Sequence, residues 1–128
     1  MAGRKVMIID DDADFLEELK ETLDQTGYKV IKVNDPSAAL TVAGSVRPEV
    51  ILMDIKMPGI NGFQLAHAIK HFWELHQIPI IAMTGYLKDN HDDLMAICGI
   101  KKCLKKPFMP LDMISEIEKA CHDNDIAA

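Results

Sequence analysis

Asp10, Asp11 and Asp12 stand in a row directly after the apolar run Val6–Ile9, and Asp54 directly follows a second apolar run, Val50–Met53. Carboxylates brought together at the ends of neighbouring strands repel, and at least one would be driven to protonate. A bound divalent cation removes that conflict. The ligands on offer are all oxygens, with no His or Cys among them, which suits magnesium, calcium or manganese better than zinc. Few carboxylates, with room left for water and phosphate oxygen, point to magnesium in particular. Acids are also favoured at a helix N-terminus by its dipole, and for the triplet alone that explanation is about as good. It does not account for Asp54.

Thr84 closes another apolar run, Ile80–Met83, and offers a hydroxyl donor. Lys106 stands just before Pro107 and offers a cationic one. Singly each is ordinary, because strand-end threonines are common and most lysines are solvated. Together they put a cation, a carboxylate nucleophile, a hydroxyl and an ammonium at one edge. That set suits attack by the Asp54 carboxylate on a phosphoryl group, where catalysis is mainly positioning and charge neutralisation.

The elements that must position these groups alternate along the chain. Val6–Ile9 is a continuous apolar run, as in a strand covered on both faces. Asp12 or a neighbour can cap the helix after it, whose stripe is Phe15, Leu16, Leu19 and Leu23, and Gly27 supplies a stop. A second strand is expected over Tyr28–Val33, and Asp35-Pro36 opens a second helix. Val50–Met53 is the third strand, followed by a helix with Leu65, Ala68, Ile69 and Phe72 as its stripe. Pro79–Met83 is the fourth. The polar segment from Lys88 to Asp93 starts a fourth helix ending near Gly99. Cys103-Leu104 marks a short fifth strand, and Pro110 starts a last helix packed through Leu111, Ile114, Ile117 and Cys121. Five β-α units in a row imply an α/β fold with a parallel sheet and helices on both faces. The expected form is a flavodoxin-like three-layer sandwich of order 2-1-3-4-5, with its site at the carboxyl ends of strands 1 and 3.

Length and composition narrow the function. The 128 residues fit one domain, 1–128, with a core at about 4–122 and a short polar tail at Asp123–Asp125. Twenty acidic against 14 basic residues give a formal charge of -6, against direct nucleic-acid binding. The cysteines at 98, 103 and 121 form no CxxC pair and sit in apolar contexts, so buried thiols are expected. The start of the chain leads into an apolar run of four residues, too short for a signal peptide or membrane span. The chain reads as cytoplasmic, with no membrane partner.

The sequence resembles the receiver domains of two-component response regulators over essentially its whole length. The matching pieces are Ile8-Ile9-Asp10-Asp11-Asp12, Met53-Asp54-Ile55-Lys56-Met57-Pro58-Gly59, Gly62, Met83-Thr84-Gly85 and Lys106-Pro107-Phe108. The resemblance implies that Asp54 is the phosphoacceptor. Asp11 and Asp54 would ligate magnesium directly with the backbone carbonyl of Lys56, and Asp10 would act largely through water. Lys106 would pair with a phosphoryl oxygen, across a cis Lys106-Pro107 bond, while Thr84 would swing toward the phosphoryl group. The implied donor is a phosphohistidine of a histidine kinase or phosphotransfer protein, with small acyl phosphates as substitutes. Switching would occur on the face formed by helix 4, strand 5 and helix 5, which also allows a homodimer. Lys56 and Tyr86 would line the access to the phosphoaspartate. One residue departs from the pattern: Cys103 stands where most receivers carry an inward-turning Tyr or Phe. A relay without an aromatic rotamer is therefore expected.

The alternatives fit less well. A haloacid dehalogenase-type enzyme needs a second acid two residues after its aspartate, where this chain has Lys56. An FMN protein would want backbone amides and hydroxyls in the first strand–helix turn, where this chain has carboxylates. A receiver-like domain that works without phosphorylation would leave a complete pocket unexplained. The chain is thus expected to act on itself and turn over no external substrate. It reads as a stand-alone receiver or a piece of a longer protein, with its output partner unspecified. His67 and His71 have a spacing that can bind zinc but fall with Gln64, Lys70 and Glu74 on the polar side of helix 3, where a solvated face is the simpler reading.

Overall fold

The computed structural model describes the backbone of residues 3–85 and 92–127, and the side chains of 3–85 and 95–124. Five parallel strands, β1 (Lys5–Ile9), β2 (Lys29–Val33), β3 (Val50–Asp54), β4 (Ile80–Thr84) and β5 (Ile100–Lys105), form a sheet of order β2-β1-β3-β4-β5. The helices are α1 (Ala13–Gln25), α2 (Ala39–Val46), α3 (Gly62–His71), α4 (Asp92–Ile97) and α5 (Pro110–Ala127). A separate two-stranded ribbon pairs Lys56–Met57 with Ile60–Asn61. This is the flavodoxin-like order expected from the alternation.

Strand period 2 divides the core into two halves. Met7, Ile9, Ile51, Met53, Ile80 and Ala82 point to one face, where Ala39 and Ala43 of α2 and Phe63, Ala66 and Ile69 of α3 cover them. Val6, Ile8, Val50, Leu52, Ile81 and Met83 point to the other, under Leu16, Leu19 and Leu23 of α1 and Met113, Ile117 and Cys121 of α5. The three central strands are buried on both faces, which is why their sequences are unbroken apolar runs.

Several expected details are corrected. The buried face of α3 is set by Phe63, Ala66 and Ile69, with Leu65 only partly buried and Phe72 at the surface past the helix end. In α5, Met113 and Ala120 take core positions while Leu111 is 77 % exposed, because the helix turns its first residues outward. β5 is longer than Cys103-Leu104. Its register against β4 shifts between Ile80 and Ile81, and this irregularity lets the consecutive Lys101 and Lys102 both face solvent on an edge strand. Of the three thiols, Cys98 and Cys121 are buried but Cys103 is only partly so. Asp35-Pro36 opens a 3-10 turn, Pro36–Ala38, before α2. The expected polar tail continues α5 to Ala127. Asp12 caps α1 by accepting from the Phe15 N–H, and Gly27 leaves the helix at φ 89°, where a side chain would be strained.

Candidate functional site

Register carries the acidic residues to one edge. Ile9 of β1 lies beside Val33 on one side and Met53 on the other, and Asp54 lies beside Met83. The ladder continues past the strand ends: the N–H groups of Asp10, Ile55 and Lys106 donate to the carbonyls of Val33, Met83 and Thr84. Asp10, Asp54, Thr84 and Lys106 are therefore fixed by sheet backbone rather than by mobile loops.

The side chains converge. Asp10, Asp11 and Asp54 each offer a carboxylate oxygen, and these lie within 4.8 Å of one another; among the described residues this is the only such cluster. Asp10 is 0 % exposed and Asp54 6 %, while Asp11 faces solvent. The Lys106 ammonium donates to Asp10 Oδ2 at 2.7 Å and to Asp54 Oδ2 at 3.3 Å. The remaining oxygens are engaged by nearby backbone: Asp10 Oδ1 accepts from the Asp12 N–H at 3.0 Å, and Asp54 Oδ1 accepts from the Lys56 N–H at 2.9 Å. Thr84 is fully buried at the end of β4. A hollow of about 480 Å³ runs along the β3–α3 loop, lined among the described residues by Lys56, Met57, Asn61, Phe63 and Thr84.

Burial and charge compete in this cluster. Burial pushes the Asp10 carboxyl above its usual range, and Asp54's charge adds to that. The bonds from Lys106 and the Asp12 amide, with the Lys106 charge, oppose it. Burial acts to lower the Lys106 ammonium, but the bond and charge of Asp10, joined by those of Asp54, hold it above the ordinary lysine value. A magnesium ion fits this donor set, which is all oxygen, anionic in excess of its one lysine, and open to solvent at Asp11.

Sequence reasoning missed Phe15 as part of the site. Its ring lies 4.2 Å from the Lys106 Nζ and meets Phe108 edge-on at 6.0 Å. The Phe15 ring attracts the ammonium charge, and Phe108 packs edge-on against that ring. Phe108 could have been found, since it follows Lys106-Pro107 directly. Phe15 carried no local signal beyond its helical stripe. The Lys106-Pro107 bond is cis, as expected. Lys56 is exposed in the ribbon two residues after Asp54, and Cys103 packs partly against the core under α3. Tyr86, and the start of helix 4 at 88–91, lie outside the described residues.

The family model of the response regulator receiver domain matches residues 6–118. The chain is 28% identical to the polar-differentiation response regulator DivK of Brucella anthropi, covering 94% of this chain and 98% of DivK. It is 27% identical to the phosphate regulon transcriptional regulatory protein PhoB of Pseudomonas aeruginosa, covering 92% of this chain and 52% of PhoB. It thus spans about half the length of PhoB. The chemotaxis protein CheY4 of Vibrio cholerae superposes with a TM-score of 0.88 at 27% identity, over 93% of this chain and 99% of CheY4. Among the described residues, no helix is long and apolar enough to cross a membrane.

Proposed function

The chain belongs to the response regulator receiver domain family, whose function is phosphorelay signalling, and from that premise we propose that Asp54 is its phosphoacceptor. The observation that carries this reading is the Lys106 ammonium set between the Asp10 and Asp54 carboxylates at the end of the sheet. The Asp54 carboxylate attacks the phosphorus of a phosphohistidine on a histidine kinase or phosphotransfer protein. An O–P bond forms, the N–P bond breaks, and the imidazole leaves. Lys106 is placed to follow a phosphoryl oxygen as charge builds there, and the Thr84 hydroxyl to donate to another.

Asp11, Asp54 and the Lys56 carbonyl would hold magnesium, with Asp10 acting through water. Bound there, the ion would neutralise the carboxylates and accept phosphoryl oxygens. Asp10 suits the indirect role as the fully buried carboxylate that Lys106 holds at the shorter distance, 2.7 Å against 3.3 Å for Asp54.

The chain is one such unit over residues 1–128. It modifies itself and turns over no external substrate. Phosphorylation would bias the face formed by α4, β5 and α5, through loop or helix repositioning, since Cys103 supplies no ring. Amide exchange across residues 86–106 that is unchanged by phosphorylation would count against that relay. The main test is incubation with acetyl phosphate and magnesium, followed by intact mass measurement. The parent gains one phosphoryl group and Asp54→Ala gains none. An unmodified parent with demonstrated magnesium binding would overturn the assignment.

A further inference from the structure

The face of α3 that carries His67 and His71 is placed by burial of the opposite face. Phe63, Ala66 and Ile69 are held in the core, so His67 and His71 project outward, and both are exposed. Four residues on an α-helix advance about 6 Å and turn only about 40°, so the two rings hang one above the other. Their centroids are 6.3 Å apart and their planes differ by 22°. The ring torsions of histidine are broad, so small rotations can aim one nitrogen from each ring at a shared point. Imidazole pairs at this helical spacing are suited to borderline divalent metals, with M–N bonds of about 2.0–2.1 Å.

The neighbouring cation does not obstruct the pair. Lys70 directs its ammonium inward, donating to the His76 carbonyl at 3.1 Å and the Ile78 carbonyl at 2.5 Å. His76 is engaged elsewhere, stacked on Trp73 at 4.7 Å with its Nδ1 2.5 Å from the Trp73 carbonyl oxygen.

We propose that His67 and His71 form a bidentate site for a borderline divalent transition metal, nickel(II), copper(II) or zinc(II), on the solvent face of α3. The site is separate in chemistry from the acidic cluster: two neutral nitrogens select softer ions than three carboxylates do. With two protein ligands the metal keeps water in its remaining positions. Chelation ties two turns of α3 together and so favours the folded helix.

The test uses the full chain with saturating magnesium, which occupies the oxygen donors, and nickel(II) as the probe. Paramagnetic broadening of amide signals locates the ion, and calorimetry gives its affinity. Broadening is expected to centre on residues 64–74. His67→Gln and His71→Gln should each weaken binding at least about ten-fold, since losing even an outer-shell partner of a metal ligand typically costs that much. His76→Gln should bind as the parent does. Nickel should raise the thermal midpoint of the parent and not of either site variant. Broadening centred on Asp10 and Asp54 or on His122 would overturn the proposal. So would parental affinity in both site variants.

Discussion

Two lysines are partly buried at opposite ends of the sheet, and they have opposite fates. Lys106, just past the carboxyl end of β5, faces Asp10 and Asp54 and is held above the ordinary lysine value. Lys70, on α3, lies against the segment leading into β4 and, among the described residues, donates only to the carbonyls of His76 and Ile78. Burial, helped by the charge of Lys101, pushes it down to about 8. Burial disfavours both ammonium groups, so burial does not set the sign. Carboxylates return more than the lost hydration, whereas two neutral dipoles do not. The chain thus places its charge-stabilising geometry at the end of the sheet where phosphoryl chemistry is proposed.

The largest expected effect comes from removing the favoured lysine. Lys106→Met leaves Asp10 buried beside Asp54 without a countercharge, and stability should fall by about 3–5 kcal/mol in urea denaturation without divalent ions. Magnesium should restore part of the loss. A Lys106→Met protein as stable as the parent would remove the contrast. Lys70→Met should cost less than about 1 kcal/mol at neutral pH, since the removed ammonium was already penalised by burial.

The two ends also differ in how closely backbone packs on a glycine. At the Asp54 end, a Cβ on Gly62 would lie 2.4 Å from the Ile55 Cα, a contact with main chain that cannot swing away. Gly62→Ala should therefore cost about 3 kcal/mol and slow acetyl phosphate labelling, because Ile55 follows Asp54 directly. At the Lys70 end, a Cβ on Gly99 would meet the Lys70 Cγ at 2.9 Å, the middle of a flexible side chain. Gly99 also has φ 76°, so Gly99→Ala keeps a strain cost of about 1–2 kcal/mol. Equal losses for the two variants would mean that the ends are equally rigid.

The pH dependence separates the lysines by sign. Lys70 gives up its proton near pH 8 when folded and near the ordinary 10.5 when unfolded. Between those values the unfolded chain binds more protons, so Lys70 makes stability rise with pH. The rise should be about 2 kcal/mol after allowance for solvent screening, and absent in Lys70→Met. Lys106 behaves oppositely: its contribution is complete below 10.5 and is lost as pH rises through its higher folded value. Denaturation midpoints measured from pH 7 to 11 on the parent and Lys70→Met check both signs. The smallest effect concerns Lys101. Lys101→Gln removes the like charge and should move the Lys70 rise to higher pH.

Much of this was legible in one dimension. The unbroken runs Val6–Ile9, Val50–Met53 and Ile80–Met83 announced central parallel strands, because a strand covered on both faces has no polar side to show. Asp10, Asp54 and Thr84 were legible because each stands at the end of such a run, and Lys106 because it follows the short strand at Cys103-Leu104 just before Pro107; strand ends in this topology share an edge. Helix faces were less legible. Phe72 and Leu111 are as apolar as any core residue, yet both are exposed, one just past the end of α3 and the other in the first turn of α5, where the chain turns away from the sheet.

Residue types at strand ends therefore determined the chemistry on offer: three carboxylates, a hydroxyl and an ammonium, without nitrogen or sulfur ligands. Tertiary structure alone decided which oxygens that ammonium meets, that the Phe15 ring lies beside it, and that Lys70, among the described residues, meets two carbonyls and no carboxylate. Those outcomes depend on side chains far apart in sequence meeting across packed elements. The balance between Coulomb attraction and lost hydration changes sign with such meetings, and no local pattern of residues encodes it.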